Sequence, residues 1–269
     1  MLRNMRSAVF GMVHVRALPG TPRNSLTVQK IIEEACKEAE IYKNAGLDGI
    51  ILENMHDIPY MHTESVGPEI VATMTAVCSQ VRRLCPEMPL GVQILAGANK
   101  QALAVALAAD LNFIRAEGFV FSHVADEGVM NACAGDIMRY RKQIGADHIS
   151  VITDIKKKHS SHAITSDVDI VETALAAEFF MSDGVVITGS ATGAITEVQD
   201  VKDVREAVKI PILVGSGVTV ENVHNYLMVN AMIIGSHFKK SGHWENELDV
   251  DRIVRFMERV TCLRDVIKD

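Results

Sequence analysis

Eight short aliphatic runs recur along this chain, and a polar or glycine-containing turn and a helix-like segment separate each run from the next. The runs are nearly continuous in Val, Ile and Leu, which is typical of parallel strands that are buried on both faces. Parallel strands need long crossover connections, which are usually helices. The runs cover residues 8–15, 48–54, 89–95, 111–116, 148–154, 183–189, 211–217 and 231–236.

The segments between the runs carry the helical period. In residues 28–42, apolar side chains recur on one helical face, and Gly46 follows where a left-handed cap is expected. In residues 198–208, four valines form a similar stripe, and Pro211 ends the helix. Eight strand–helix repeats predict an α/β fold, a single (β/α)8 TIM-type barrel domain over residues 1–269. A doubly wound sheet is the alternative, but no Gly-x-Gly-x-x-Gly follows the first run.

Charge, hydropathy and cysteine content limit which partners the protein can bind and in which cellular compartment it is expected. A formal net charge of −7 argues against non-specific binding to nucleic acid or to an anionic membrane. No apolar run approaches the roughly 18 residues that a membrane span requires. The five cysteines form no C-x-x-C pair and are typical of reduced thiols in an intracellular protein. We therefore expect a cytoplasmic protein, or a mitochondrial one if a leader has been removed, and a barrel with apolar outer helices can form a homo-oligomer.

The last two aliphatic runs stop at Gly-Ser, in "PILVGSGVT" (211–219) and "AMIIGSHFKK" (231–240). In many TIM-type barrels the loops after the seventh and eighth strands bind a phosphate, because small residues leave backbone N–H groups accessible to an anion. Tight strand-to-helix turns would use the same glycines. We favour a phosphate-binding site formed by Gly215, Ser216, Gly217, Gly235 and Ser236.

Carboxylates end two of the runs, Glu53 and Asp154. The active site of a TIM-type barrel forms at the carboxyl ends of its strands, where burial raises the pKa of a carboxylic acid towards neutrality and suits it to proton transfer. A carboxylate that caps a loop or pairs with Arg115 is the structural alternative. His14, which ends the first run, and Arg115 are predicted to orient or neutralise the substrate.

Six further polar residues near strand ends are predicted to contact the substrate: Arg16, Asn54, Gln93, Glu117, Thr188 and Ser190. The run "KKKH" at 156–159 either clamps an acidic substrate or forms a solvated loop, as charge runs more often do. No histidine spacing matches a zinc motif, so no metal site is predicted, although Glu53 and Asp154 leave a divalent metal as an alternative. No organic cofactor is implied. No Lys ends the sixth run, which argues against a covalent mechanism.

Four sequence blocks resemble the BtpA family: "GMVHVRALPGTPR", "GLDGIILENMHDIPY", "DGVVITGSATG" and "PILVGSGVTVENV". The resemblance extends over essentially the whole chain. It implies a TIM-type barrel and, for the cyanobacterial namesake of the family, a role in photosystem I biogenesis. The residues at the motif positions of the family are His14, Pro19, Gly20, Glu53, Asn54, Gly189, Thr192, Gly193, Gly215 and Gly217.

Two functions from different classes fit these patterns. The first is an enzyme that acts on a small phosphorylated ligand, such as a sugar phosphate or a ribosyl phosphate, by isomerase, epimerase or lyase chemistry. The second is a non-catalytic assembly or biogenesis factor that uses the barrel as a scaffold, since fold does not dictate function. Four charged or titratable residues at one mouth have no obvious use in a scaffold, so the first function is favoured.

Overall fold

The computed structural model describes residues 2–268, in which eight parallel strands close into a barrel. All eight predicted runs form barrel strands, so the predicted TIM-type fold is confirmed, and residues 1 and 269 of the predicted domain lie outside the described residues. In chain order the strands are β1 (Ala8–His14), β2 (Gly49–Glu53), β3 (Leu90–Gln93), β4 (Phe113–Ala116), β5 (His123–Ala125), β6 (Gly128–Met130), β7 (Ser150–Ile155), β8 (Ser160–Ser161), β9 (Gly184–Ile187), β10 (Ile212–Val214) and β11 (Ala231–Ile234). The order around the barrel is β1-β11-β10-β9-β7-β4-β3-β2.

Helices form the outer layer of the barrel. They are α1 (Val28–Asn44), α2 (Pro68–Leu84), α3 (Asn99–Ala108), α4 (Ala134–Gln143), α5 (Ile170–Phe179), α6 (Val198–Ala207) and α7 (Val250–Lys268). The connection from β10 to β11 departs from the expected pattern, because it contains only a short 3-10 helix, Val223–Tyr226. Tyr226 nevertheless covers the barrel as a helix would: it is fully buried, and its hydroxyl donates to the carbonyl oxygen of Thr196 at 2.5 Å.

The local sequence explains where α1 begins and which face it buries. The hydroxyl of Thr27 accepts a hydrogen bond from the N–H of Lys30 and caps the helix. The predicted apolar face is buried at Ile31, Ala35, Ala39 and Tyr42, whereas Val28 is 37% exposed in the first turn. The Tyr42 hydroxyl donates to the carbonyl oxygen of Met12 at 2.9 Å, which fixes the helix against β1.

The interior of the barrel is a packed core. Phe10 and Phe113 stack with ring centroids 5.5 Å apart, and Ile51, Ile152 and other inward side chains complete the cluster. Gly91 makes room for this packing, because a Cβ atom there would lie 2.2 Å from the Phe113 ring. The inner cluster comprises Leu2, Ala8, Phe10, Met12, Ile51, Phe113, Ile152, Val186, Leu213, Ala231 and Ile233.

A second sheet, which the sequence analysis did not predict, is inserted into the barrel connections. It contains β5, β6 and β8 in the antiparallel order β6-β5-β8. These strands are two or three residues long and partly exposed. They contain no aliphatic run of the kind that predicts the barrel strands. Within residues 2–268, no helix combines the length and the apolar character that a membrane crossing requires.

Candidate functional site

Polar residues form a ring at the carboxyl-terminal mouth of the barrel because they continue the inward face of the strands. Side chains alternate along a strand, so the position two residues beyond an inward residue also faces inward. Met12 belongs to the inner core, and His14 therefore points into the mouth. The register places His14 beside Glu53 and Glu53 beside Gln93. Five further residues each lie two positions beyond an inner-core residue of the same strand and therefore also face the mouth: Arg115, Asp154, Thr188, Gly215 and Gly235.

A cavity of about 180 Å³ opens at this mouth. Three of the four predicted catalytic residues line it, namely His14, Glu53 and Arg115. The loops 215–219 and 235–237 form the opposite side and include all five predicted phosphate-binding residues. The structure therefore brings together most of the predicted catalytic residues and both Gly-Ser loops.

Asp154, the fourth predicted catalytic residue, pairs with Arg115 instead of lining this cavity. Its two carboxylate oxygens accept hydrogen bonds from Nε and Nη2 of Arg115, both at 2.8 Å, and the pair is almost fully buried. Burial alone would lower the pKa of Arg115, but the charge and hydrogen bonds of Asp154 outweigh burial and raise it. The geometry matches the structural alternative for Asp154, a carboxylate that holds Arg115 in place.

Glu53 is the carboxylate that faces the cavity. It is 7% exposed, and its carboxylate accepts no hydrogen bond from the described part of the chain. Burial raises the pKa of Glu53, while the charges of Arg115 and Lys158 oppose the increase. A buried carboxyl group with a raised pKa and oxygens that face open space is suited to accept or donate a proton.

Lys158 faces the same cavity, although it is not one of the predicted site residues. The loop that carries it folds over the mouth, because the N–H of Lys158 donates to Oγ1 of Thr188 at 3.1 Å. Within residues 2–268, the Nζ atom of Lys158 donates to no protein acceptor. Burial and the charge of Arg115 lower the pKa of Lys158, which makes loss of its proton easier. The lysine run thus contributes to the site, and it is not a fully solvated loop.

The two Gly-Ser loops present unused backbone donors to the cavity. No acceptor within the described residues 2–268 binds the N–H groups of Ser216, Gly217 and Ser236. The Ser216 hydroxyl is occupied, since it accepts from the N–H of Gly189 at 2.6 Å and donates to the carbonyl oxygen of Ala194 at 3.0 Å. Gly217 has a φ of +68°, and a Cβ atom there would lie 2.2 Å from the same Ala194 oxygen, so only glycine fits.

Arg252 adds a cation to this side of the cavity. It lies in the first turn of α7, and its Nη1 donates to the carbonyl oxygens of His237 and Lys239 at 3.3 and 3.0 Å. These bonds fix the guanidinium beside the loop after β11. Arg252 could not be identified from the sequence, because one arginine in an amphipathic helix carries no signal of the direction of its side chain.

His14 is held in a defined orientation. Its Nδ1 lies 3.2 Å from the carbonyl oxygen of Trp244, which can only accept a hydrogen bond, so Nδ1 carries a proton. Burial, followed by the charge of Lys239, lowers the pKa of His14 and keeps the ring neutral. Its Nε2 is then an acceptor beside Gly235, where an added Cβ atom would lie 3.4 Å away.

Two of the predicted substrate-binding residues are used in structural contacts. Asn54 joins two loops, since its Oδ1 accepts from the N–H of Leu95 and its Nδ2 donates to Asp57, both at 2.8 Å. Arg16 lies outside the cavity, with its Nη2 atom 3.8 Å from a carboxylate oxygen of Glu34. Neither side chain is directed at the cavity that contains the Gly-Ser loops.

The other four lie around the mouth but do not line that cavity. Gln93 donates to Glu117 at 3.2 Å, and Lys157 approaches the same carboxylate at 3.3 Å. Thr188 accepts the N–H of Lys158, as described above, and Ser190 is exposed. Among residues 2–268, no group of three or more His, Cys, Asp or Glu side chains is arranged to hold a metal ion.

The closed parallel barrel and the polar cavity at its carboxyl-terminal mouth define the class of this protein, the TIM-type barrels. The chain belongs to the BtpA family, whose sequence profile matches residues 5–262, and the predicted resemblance is confirmed.

Relatives cover nearly the full length of the chain. An uncharacterized mitochondrial protein of Caenorhabditis elegans is 46% identical over 98% of this chain and 96% of its own. The photosystem I biogenesis protein BtpA of Synechocystis is 29% identical over 93% of this chain and 86% of its own.

Solved structures with a similar fold include an isomerase and an epimerase. Phosphoribosyl anthranilate isomerase from Thermus thermophilus superposes with a TM-score of 0.59 at 11% identity, over 96% of this chain and 100% of that chain. KGPDC from Streptococcus mutans gives a TM-score of 0.60 at 10% identity, over 96% and 99% of the two chains. An N-acetylmannosamine-6-phosphate 2-epimerase from Clostridium perfringens gives 0.55 at 12% identity, over 99% and 96%. At these identities the similarity shows a shared fold.

Proposed function

We propose that this protein is an enzyme that binds a sugar phosphate or ribosyl phosphate and moves a proton on its carbon skeleton, as an isomerase or epimerase does. One observation carries the proposal: Glu53 and Lys158 face a single cavity together with the unused amides of both Gly-Ser loops. The fold supports the same class of ligand, since barrels of similar structure include an isomerase of a phosphoribosyl compound and an epimerase of a sugar 6-phosphate.

The phosphate would bind between the loops after β10 and β11. The N–H groups of Ser216, Gly217 and Ser236 supply donors, and Arg252 supplies charge. Backbone amides that converge on small residues bind anions well, and an arginine adds charge-assisted hydrogen bonds. Arg115 also lines the cavity, but Asp154 already neutralises it.

Glu53 and Lys158 would carry out the proton transfer. The carboxylate of Glu53 takes the proton from a carbon next to a carbonyl group, the C–H bond breaks, and its electron pair forms an enediolate. The ammonium of Lys158 stabilises the negative oxygen of that enediolate. Return of the proton from Glu53 to the neighbouring carbon, with Lys158 moving a proton between the two enediolate oxygens, gives the isomer. Donation of a proton by Lys158 to the opposite face of the original carbon gives the epimer, and Glu53 then keeps the proton that it removed. A raised pKa strengthens Glu53 as a base, and a lowered pKa strengthens Lys158 as an acid.

An assembly factor is the second candidate, because the Synechocystis relative is named as a photosystem I biogenesis protein. A scaffold would not need Glu53 and Lys158 at the base of a cavity, and burying charged groups without hydrogen-bond partners costs stability. Proteins retain such costly groups mainly at functional sites. The burial of these two groups therefore favours the enzyme.

Binding of inorganic phosphate and ribose 5-phosphate tests the anion site. We expect both to bind to the unaltered protein, and Arg252→Ala to weaken binding by about 10- to 100-fold, because a hydrogen bond to a charged group contributes roughly 1.5–3 kcal/mol. Isothermal titration calorimetry measures the effect. Arg255→Ala is the matched control, since Arg255 lies on the same helix and is exposed. Equal affinities in Arg252→Ala and Arg255→Ala would rule out the proposed phosphate position.

A further inference from the structure

A second cavity adjoins the first at the proposed proton-transfer pair. Its volume is about 230 Å³, and it shares Glu53, Met55, Lys158 and Thr192 with the first cavity. The two cavities therefore meet at Glu53 and Lys158, with the Gly-Ser loops on one side. A substrate that places its phosphate on those loops and its reacting carbon at Glu53 would extend into the second cavity.

Aromatic and apolar side chains form one wall of the second cavity, and two of them are held in place. The Tyr60 hydroxyl donates to the carbonyl oxygen of Met55 at 2.7 Å. The Trp244 ring lies 4.9 Å from the His56 ring and 6.0 Å from the His14 ring, measured between centroids. Ordered aromatic faces favour a planar group, because stacking buries both surfaces without a large loss of side-chain freedom.

Carboxylates form the other wall. Asp126 and Glu127 are the two residues of the turn that joins β5 to β6, so the inserted sheet positions them over the mouth. Within residues 2–268, neither side chain forms a hydrogen bond or an ion pair. Glu117, by contrast, is already occupied by Lys157 and Gln93. Two carboxylates that line a cavity and form no hydrogen bond within residues 2–268 favour a ligand with N–H donors.

We propose that the second cavity binds a planar nitrogenous group with N–H donors, so that the substrate is a sugar phosphate to which such a group is attached. A nucleobase with an amino group or an aromatic amine belongs to this class. The inference rests on the proposed function, since the phosphate on the Gly-Ser loops sets the direction of the substrate.

Three ligands of increasing size test this assignment: inorganic phosphate, ribose 5-phosphate and AMP. We expect AMP to bind about tenfold more tightly than ribose 5-phosphate, because stacking of a base on an aromatic side chain contributes roughly 1–3 kcal/mol. Trp244→Ala should remove this difference and leave the affinity for inorganic phosphate unchanged. Phe179→Ala is the matched control, since Phe179 is 82% exposed at the end of α5 and lines neither cavity.

The carboxylates have a separate test. Purine riboside 5′-monophosphate carries only a hydrogen atom where AMP carries an amino group and so has no N–H donor on its base, and we expect the unaltered protein to prefer AMP. Asp126→Asn combined with Glu127→Gln should weaken that preference, because the amides also offer donors.

The outcomes separate the two proposals. Equal affinities for AMP and ribose 5-phosphate, or an equal loss in Trp244→Ala and Phe179→Ala, would overturn the assignment of the second cavity and leave the phosphate site standing. Absence of binding by all three ligands would overturn the proposed function, and the assignment of the second cavity would fall with it.

Discussion

Glu53→Gln is expected to lower the rate of carbon-bound proton exchange in a sugar phosphate by about 10²- to 10⁴-fold, the usual contribution of a general base. The physical reason is that a carboxamide cannot accept the proton, while its size matches that of the carboxyl group. The Glu53 carboxyl group accepts no hydrogen bond within residues 2–268, so a replacement of the same size should leave the denaturation midpoint nearly unchanged. Deuterium incorporation into ribose 5-phosphate from D₂O, followed by ¹H NMR, measures the rate.

Glu64→Gln is the matched control for this experiment, because Glu64 is exposed in the connection before α2 and lines neither of the two mouth cavities. Its exchange rate should equal that of the unaltered protein. Full exchange activity in Glu53→Gln would contradict the proposed base. A large fall in the denaturation midpoint that accompanies the loss of activity would identify Glu53 as a structural carboxylate.

Asp154→Ala is expected to destabilise the protein by about 3–5 kcal/mol, the usual cost of removing one partner from a buried ion pair. The side chain of Arg115 is only 4% exposed, and Asp154 accepts two short hydrogen bonds from it. The variant therefore leaves the guanidinium of Arg115 buried without this partner. Unfolding in urea measures the change, because the free energy falls linearly with denaturant concentration.

The double variant Arg115→Met, Asp154→Leu serves as the control for this second prediction. It removes both charges and replaces them with apolar side chains of similar size, so it should recover most of the stability that Asp154→Ala loses. A loss below about 1 kcal/mol in Asp154→Ala would contradict the prediction. It would mean that Glu53, which also raises the pKa of Arg115, is sufficient to balance the buried charge.

Much of the barrel could be predicted from the sequence, because each parallel strand is a continuous aliphatic run and the runs stop where the strands reach the mouth. The inserted sheet could not, since its strands are short and partly exposed. The missing α-helix before β11 was also unpredicted. There the buried side chains of Val223 and Tyr226 cover the barrel from a single 3-10 turn.

The candidate site was predictable to the extent that position along a strand determines direction. His14, Glu53 and Arg115 follow inward residues by two positions and line the cavity as expected. Loop and helix residues have no such rule. Lys158 lines the cavity from a loop that its N–H joins to Thr188, and Arg252 is fixed by the carbonyl oxygens of a loop that precedes its own helix.

The sequence alone determined the barrel, the end of the barrel that carries the polar residues and the Gly-Ser loops that face them, because burial and the two-residue period of strands are local properties. Only the tertiary structure decided which charges neutralise each other. Asp154 and Arg115 are 39 positions apart, and the parallel pairing of β4 with β7 brings them within 2.8 Å, which leaves Glu53 without a hydrogen-bond partner among the described residues at the mouth. Such pairing depends on the register between two strands that are far apart in the chain, which no short stretch of sequence contains.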